Sequence, residues 1–98
     1  MFYNQPVIKS WKNKGLKELF ETGRTAKIQS KFHERISERL DALDIASVPA
    51  AMNVPGYDFH ALKGFNPTRY TVHVNGPWCV TFEFDGTDAA KVDFEQYH

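Results

Sequence analysis

Side chains that could exchange protons or bind phosphate occur in two short stretches of this 98-residue chain. His60 and Lys63 lie three residues apart in one stretch, and Tyr97 and His98 follow a predicted final strand. A histidine exchanges protons near neutral pH, and a lysine beside it can hold a phosphate group. By itself this spacing is weak evidence, because an ordinary surface histidine and lysine are far more common. The elements that position the two stretches therefore decide whether they form a site.

Several other chemistries find no support in the sequence. It contains no glycine-rich phosphate loop, no HExxH and no CxxC, and His33 and His60 lack the spacing of a chelating pair. We therefore predict no metal and no cofactor. The only cysteine is Cys79, so there is no disulfide framework, and a reducing cytoplasmic location is expected. No segment resembles a signal peptide or a membrane span, so secretion and membrane insertion are not expected.

The charges balance over the chain but not within it. Twelve basic and twelve acidic residues give a formal net charge of zero. Residues 1–49 hold nine basic and six acidic residues, whereas residues 50–98 hold three basic and six acidic residues. Zero net charge argues against broad binding to free nucleic acid. The basic first half is either a charged partner surface or an ordinary solvated face, and charge alone favours the second interpretation.

Hydrophobic patterning predicts one α+β domain over residues 1–98, with the order β-α-α-β-β-β. A strand is predicted at 7–11, a helix at 14–22 ending at Gly23, and a second helix from a Ser30 cap to before Pro49, with His33 on its exposed face. Residues 49–68 are predicted to be loop. Alternating segments at 69–74, 78–84 and 89–94 predict strands joined by tight turns. Such strands must be antiparallel, with the two helices packed on one face of the sheet.

The order of several segments resembles the HigB toxins of the RelE-like superfamily. The segments are IKSWKNKGL at 8–16, LFETG at 19–23, LDALD at 40–44, HALKG at 60–64, the hairpin over 72–84, and VDFEQYH at 92–98. The resemblance covers nearly the whole chain from Val7. It implies a compact RelE-like fold, a helix-turn-helix antitoxin of the HigA type as partner, and cleavage of mRNA in the decoding site of the ribosome. Operator DNA would then be reached only through the antitoxin.

The resemblance also implies a mechanism and its residues. The ribose 2′-hydroxyl attacks the adjacent phosphate, which requires a base, an acid and positive charge on the phosphorane. By position, His98 is expected to be the general base or acid, Lys63 the phosphate clamp, and His60 and Tyr97 orienting or proton-transfer groups. The resemblance does not decide which of these residues is the general base.

Two positions depart from the family pattern. Relatives usually carry Trp-Arg where this chain has Trp78-Cys79, and many end in Glu-Asp-Tyr-His where this chain has Gln96. A cysteine cannot replace the transition-state cation that an arginine supplies. Arg69, on the preceding predicted strand, is the candidate substitute for that charge. The alternative function is a catalytically weak toxin-fold protein that acts mainly as antitoxin partner and co-repressor.

Overall fold

The computed structural model describes residues 7–97 and has the predicted α+β architecture. Two helices, α1 (Lys14–Thr22) and α2 (His33–Ile45), precede four strands, with 3₁₀ turns at Ser30–Phe32 and Pro49–Met52. The strands are β1 (His60–Leu62), β2 (Arg69–Asn75), β3 (Trp78–Asp85) and β4 (Asp88–Gln96). Each strand pairs with the next in an antiparallel sheet of order β1-β2-β3-β4. The predicted fold class and the antiparallel hairpins are therefore confirmed.

The first helix begins and ends where its sequence predicts. The Asn13 side chain accepts a hydrogen bond from the Leu16 amide at 3.0 Å, which satisfies one of the amides left open in the first turn. Gly23 adopts a left-handed conformation (φ 83°), and its amide donates to the Leu19 carbonyl at 2.8 Å. Leu16 and Leu19 are buried against the sheet side of the core.

The second helix differs from the prediction at its start. Ser30 opens the 3₁₀ turn rather than capping α2, and the N-cap position of α2 is Phe32, which makes no side-chain capping bond. The prediction that His33 is simply exposed is also wrong. The His33 ring is partly buried, and its Nε2 donates to the Ile28 carbonyl at 2.8 Å, which ties the start of α2 to the preceding loop.

The predicted N-terminal strand is reduced to two isolated bridges, from Ile8 and Trp11 to β4, and these run parallel rather than antiparallel. The interruption has a physical cause in β4, where Lys91 has φ 49° and the register with β3 shifts. This bulge turns the Lys91 amide away from the ladder, and the Ser10 hydroxyl accepts its hydrogen bond at 2.8 Å. Residues 7–12 therefore cover the β4 edge without forming a regular strand.

The short strand β1 lies inside the stretch that was predicted to be loop. Its three residues pair with the start of β2, with Leu62 opposite Arg69 and His60 opposite Thr71. Turn-forming residues on both sides hide so short a strand from sequence patterns. Both helices pack on one face of the sheet. The core between the helices and this face contains Val72, Val74, Val80, Phe82 and Val92. Neither described helix is long and apolar enough to cross a membrane.

Candidate active site

The sheet face that carries no helix is polar, and several of its side chains are buried. Side chains alternate along a strand, so Arg69, Thr71 and His73 of β2 face away from the helices. Residues that lie opposite each other in antiparallel strands share a face. Register therefore adds members from β1, β3 and β4 to this face: His60, Leu62, Cys79, Thr81, Asp93 and Glu95.

One end of this face holds a cavity of about 470 Å³, formed where β1, β2, β3 and the end of β4 meet. Two of the five predicted site residues, His60 and Tyr97, line it together with Cys79. The other lining residues are Asp58, His73, Gly76 and Pro77. Residues separated by 37 positions in the sequence thus come together in one site.

Backbone hydrogen bonds hold His60 and Tyr97 in place. The His60 Nδ1 lies 2.9 Å from the Asp58 carbonyl. A carbonyl only accepts, so Nδ1 carries the proton and Nε2 is the ring nitrogen left for a ligand. The Tyr97 amide donates to the Pro77 carbonyl at 2.7 Å, which fastens the end of β4 to the β2–β3 turn.

The environment of Tyr97 keeps its hydroxyl protonated. Burial, followed by the negative charge of Glu95, raises the pKa of Tyr97 above its ordinary value, and the positive charge of Arg69 opposes that shift. At neutral pH the phenol is therefore a hydrogen-bond donor and not a base. The chemistry open to it is donation to a phosphate oxygen or to a leaving oxygen.

Arg69 lies in a buried network instead of the cavity lining. It is 6% exposed, and its guanidinium donates to Glu83 at 3.2 Å, to the Thr81 hydroxyl at 3.1 Å and to the Lys91 carbonyl at 2.9 Å. The Thr81 hydroxyl in turn donates to Glu95. The charge of Arg69 is thus paired with a carboxylate that is itself only 8% exposed. This geometry favours a positioning role for Arg69 over contact with a substrate phosphate.

The two remaining predicted residues are not part of the described cavity. Lys63 is exposed in the turn that follows β1 and does not line the cavity. His98 lies outside the described residues. Among residues 7–97, no three His, Cys, Asp or Glu side chains are grouped closely enough to hold a metal ion.

Sequence patterns did not single out His73, Asp58, Gly76 and Pro77 as site residues. The alternation of β2 already placed His73 on the same face as Arg69, which was the available signal. Asp58 lies in a loop and has an unusual backbone conformation (φ 48°) that no sequence pattern predicts. A further polar group on this face is the Thr71 hydroxyl, which is fully buried and has no hydrogen-bond partner within the described chain.

Comparison with known proteins assigns this arrangement to a family. The sequence model described as "RelE-like toxin of type II toxin-antitoxin system HigB" matches residues 9–98. A relative from Proteus vulgaris, named Endoribonuclease HigB, is 39% identical over 92 residues, which cover 94% of this chain and all of the relative. The match includes β1, the β2–β3 hairpin and the end of β4, which together form the cavity. The chain belongs to the HigB-like family of RelE-like toxins from type II toxin-antitoxin systems.

Proposed function

We propose that this toxin is an endoribonuclease that cleaves mRNA on the ribosome and so inhibits translation. The observation that carries the proposal is the cavity that brings His60 and Tyr97 together from β1 and the end of β4. The name of the Proteus vulgaris relative supports an endoribonuclease activity. No cofactor or metal is part of the proposed reaction.

The reaction consists of attack by the ribose 2′-hydroxyl on the adjacent phosphorus. A base removes the hydroxyl proton, the bond from phosphorus to the 5′-oxygen breaks, and an acid protonates that oxygen. The products are a 2′,3′-cyclic phosphate and a 5′-hydroxyl. His98 is the proposed general base or acid, and Lys63, which is exposed next to β1, is the proposed phosphate clamp. His60 and Tyr97 orient the reacting groups or transfer protons.

The proposed partners are an antitoxin of the HigA type, the ribosome and mRNA. The toxin would reach operator DNA only through the antitoxin, and its proposed location is the cytoplasm. The basic residues of the first half favour that half as the ribosome-facing surface, since ribosomal RNA attracts lysine and arginine.

Expression without an antitoxin tests the proposal. The wild-type chain should arrest growth and cut mRNAs that are being translated, whereas His98→Ala and Lys63→Ala should relieve both effects. Primer extension on a translated reporter locates the cuts, and the same reporter without a ribosome-binding site controls for ribosome dependence. A wild-type chain that is harmless at high expression would overturn the proposal.

Replacing Tyr97 by phenylalanine should lower the rate of mRNA cleavage about tenfold. The variant loses one hydrogen bond from a neutral donor, which is worth about 1.4 kcal/mol. Stability should stay close to that of the wild type, because the bond that fastens this residue to Pro77 uses the main chain. Single-turnover cleavage and thermal unfolding measure the two quantities. Equal cleavage rates for Tyr97→Phe and wild type would remove the hydroxyl from the mechanism.

One observation favours a second candidate function. Within the described part of the chain, no lysine or arginine lines the cavity, and Cys79 lines it at the position where the family resemblance leads us to expect an arginine. A catalytically weak toxin that acts mainly as co-repressor with its antitoxin fits this observation. In that case the complex should repress its own promoter while expression of the toxin alone leaves reporter mRNA uncut.

A further inference from the structure

The histidine at the end of β2 occupies a position that the proposed mechanism does not use. His73 lines the cavity together with His60, and it also lines a neighbouring cavity of about 690 Å³ between α2 and the 55–57 loop. It therefore lies where the two cavities meet, and a ligand in the first cavity can reach its ring. Its cross-strand partner is Cys79, so the two side chains are neighbours on the same face of the sheet.

The main chain at His73 is held from two sides. Its amide donates to the Tyr57 carbonyl at 2.6 Å, and its carbonyl accepts from the Arg39 guanidinium at 2.7 Å. Arg39 is 7% exposed and packs over the Tyr57 ring, with 4.3 Å between the guanidinium carbon and the ring centroid. These two bonds fix the backbone at His73, which limits the directions that its side chain can take, as a binding site requires.

The ring of His73 is also oriented. Its Nε2 lies 2.9 Å from the Gly76 carbonyl, so this nitrogen carries a proton, and Nδ1 is the nitrogen left without a partner among the described residues. His60 has the reverse arrangement, with Nδ1 bonded to a carbonyl and Nε2 without a partner within residues 7–97. Both imidazoles line the cavity, and each has one ring nitrogen held by a carbonyl and the other without a hydrogen bond among the described residues. When Nδ1 of His73 is protonated, it becomes a charged donor.

A phosphodiester in this cavity requires positive charge, since negative charge develops on its oxygens during cleavage. Arg69 is committed to Glu83 and is absent from the lining, and Lys63 lies outside it. Among the described lining residues, the side chains that can become cationic are the two histidines. The imidazolium of a histidine that contacts a phosphate is stabilised by that contact.

We propose that His73 is a further substrate-binding residue of this toxin and that its imidazolium donates a hydrogen bond from Nδ1 to the phosphate at the cleavage site. This inference rests on the proposed nuclease function and names a residue beyond those expected from the sequence. The class of ligand is an RNA phosphodiester or a smaller phosphate compound that reproduces it.

Cleavage of ribosome-bound mRNA by three variants tests the inference. His73→Gln should lower kcat/KM by 10- to 100-fold, the effect of losing one charged hydrogen bond. His73→Lys keeps the charge and should retain most of the activity. The matched control is His33→Gln, because His33 also donates Nε2 to a carbonyl but lies outside the cavity. A His73→Gln variant as active as wild type overturns the inference, as does equal loss in the Gln and Lys variants together with a lower Tm.

Binding of inorganic phosphate separates this inference from the nuclease proposal. In NMR titrations of the purified full chain, phosphate should shift the ring resonances of His60 and His73 and leave those of His33 in place. A protein that fails to cut mRNA but shows these shifts would contradict the nuclease function and retain His73 as a phosphate-binding residue. Shifts at His60 without shifts at His73 would overturn the inference even if mRNA is cut.

Discussion

Arg69→Ala should lower the free energy of unfolding by about 3–5 kcal/mol, the usual cost of removing one partner of a buried ion pair. The change leaves the Glu83 carboxylate, 8% exposed, without its nearest cation. It also removes the donors to the Thr81 hydroxyl and to the Lys91 carbonyl. Urea unfolding followed by circular dichroism measures the difference.

Two further variants show whether the lost stability comes from leaving the Glu83 carboxylate buried without the Arg69 cation. Lys91→Met removes the second cation near Glu83, but that lysine is mostly exposed and 3.8 Å away, so its loss should cost no more than about 1 kcal/mol. The double variant Arg69→Met, Glu83→Leu removes both buried charges and should be more stable than Arg69→Ala. If Arg69→Ala unfolds at the same urea concentration as the wild type while cleavage is lost, then Arg69 acts on the substrate and not through the network.

Cys79→Arg should raise the rate of mRNA cleavage by roughly tenfold to hundredfold, the range expected when one charged donor is added at a developing oxyanion. Cys79 lines the cavity, and a long side chain at this position can extend into the 470 Å³ that the cavity provides. The added guanidinium would place a positive charge beside the substrate phosphate, independently of His73. Cleavage of ribosome-bound mRNA under single-turnover conditions measures the gain.

The matched control for that gain is Cys79→Met, which adds length without charge. It should cleave mRNA at the wild-type rate or more slowly. The double variant Cys79→Arg, His73→Gln should recover much of the activity that His73→Gln loses, since either cation can serve the phosphate. A Cys79→Arg protein that folds normally and cleaves no faster than wild type would mean that positive charge already saturates the site.

The regular elements were predictable because each is encoded by a local pattern. The spacing of Leu16 and Leu19 together with Gly23 located α1, and alternation located β2 and β3. The predictions that were wrong concern features that depend on long-range contacts. Nothing near Ser10 in the sequence reveals that its hydroxyl will bond to the bulged amide of Lys91, and so the N-terminal segment was expected to form a regular strand.

The candidate site, like the fold, was predictable only in part. Family resemblance selected His60 and Tyr97, which the structure places in one cavity. From the sequence, Arg69 is expected to be a free cation, because residue type does not reveal a buried carboxylate fourteen positions later in the chain. Sequence patterns do not single out His73, because its role depends on its cross-strand neighbour and on the carbonyl that orients its ring.

The bonds between residues 7–12 and β4 join the start of the described chain to its last strand. They join positions as far as 82 residues apart in sequence, such as Val7 and Ala89. Contacts of such separation form late, because the intervening chain must first be closed into a loop. β4 also leads to Tyr97, so the edge of the sheet and the candidate site are completed together. The covered sheet edge and the candidate site therefore both require that the last strand has been synthesised and has paired with the rest of the sheet.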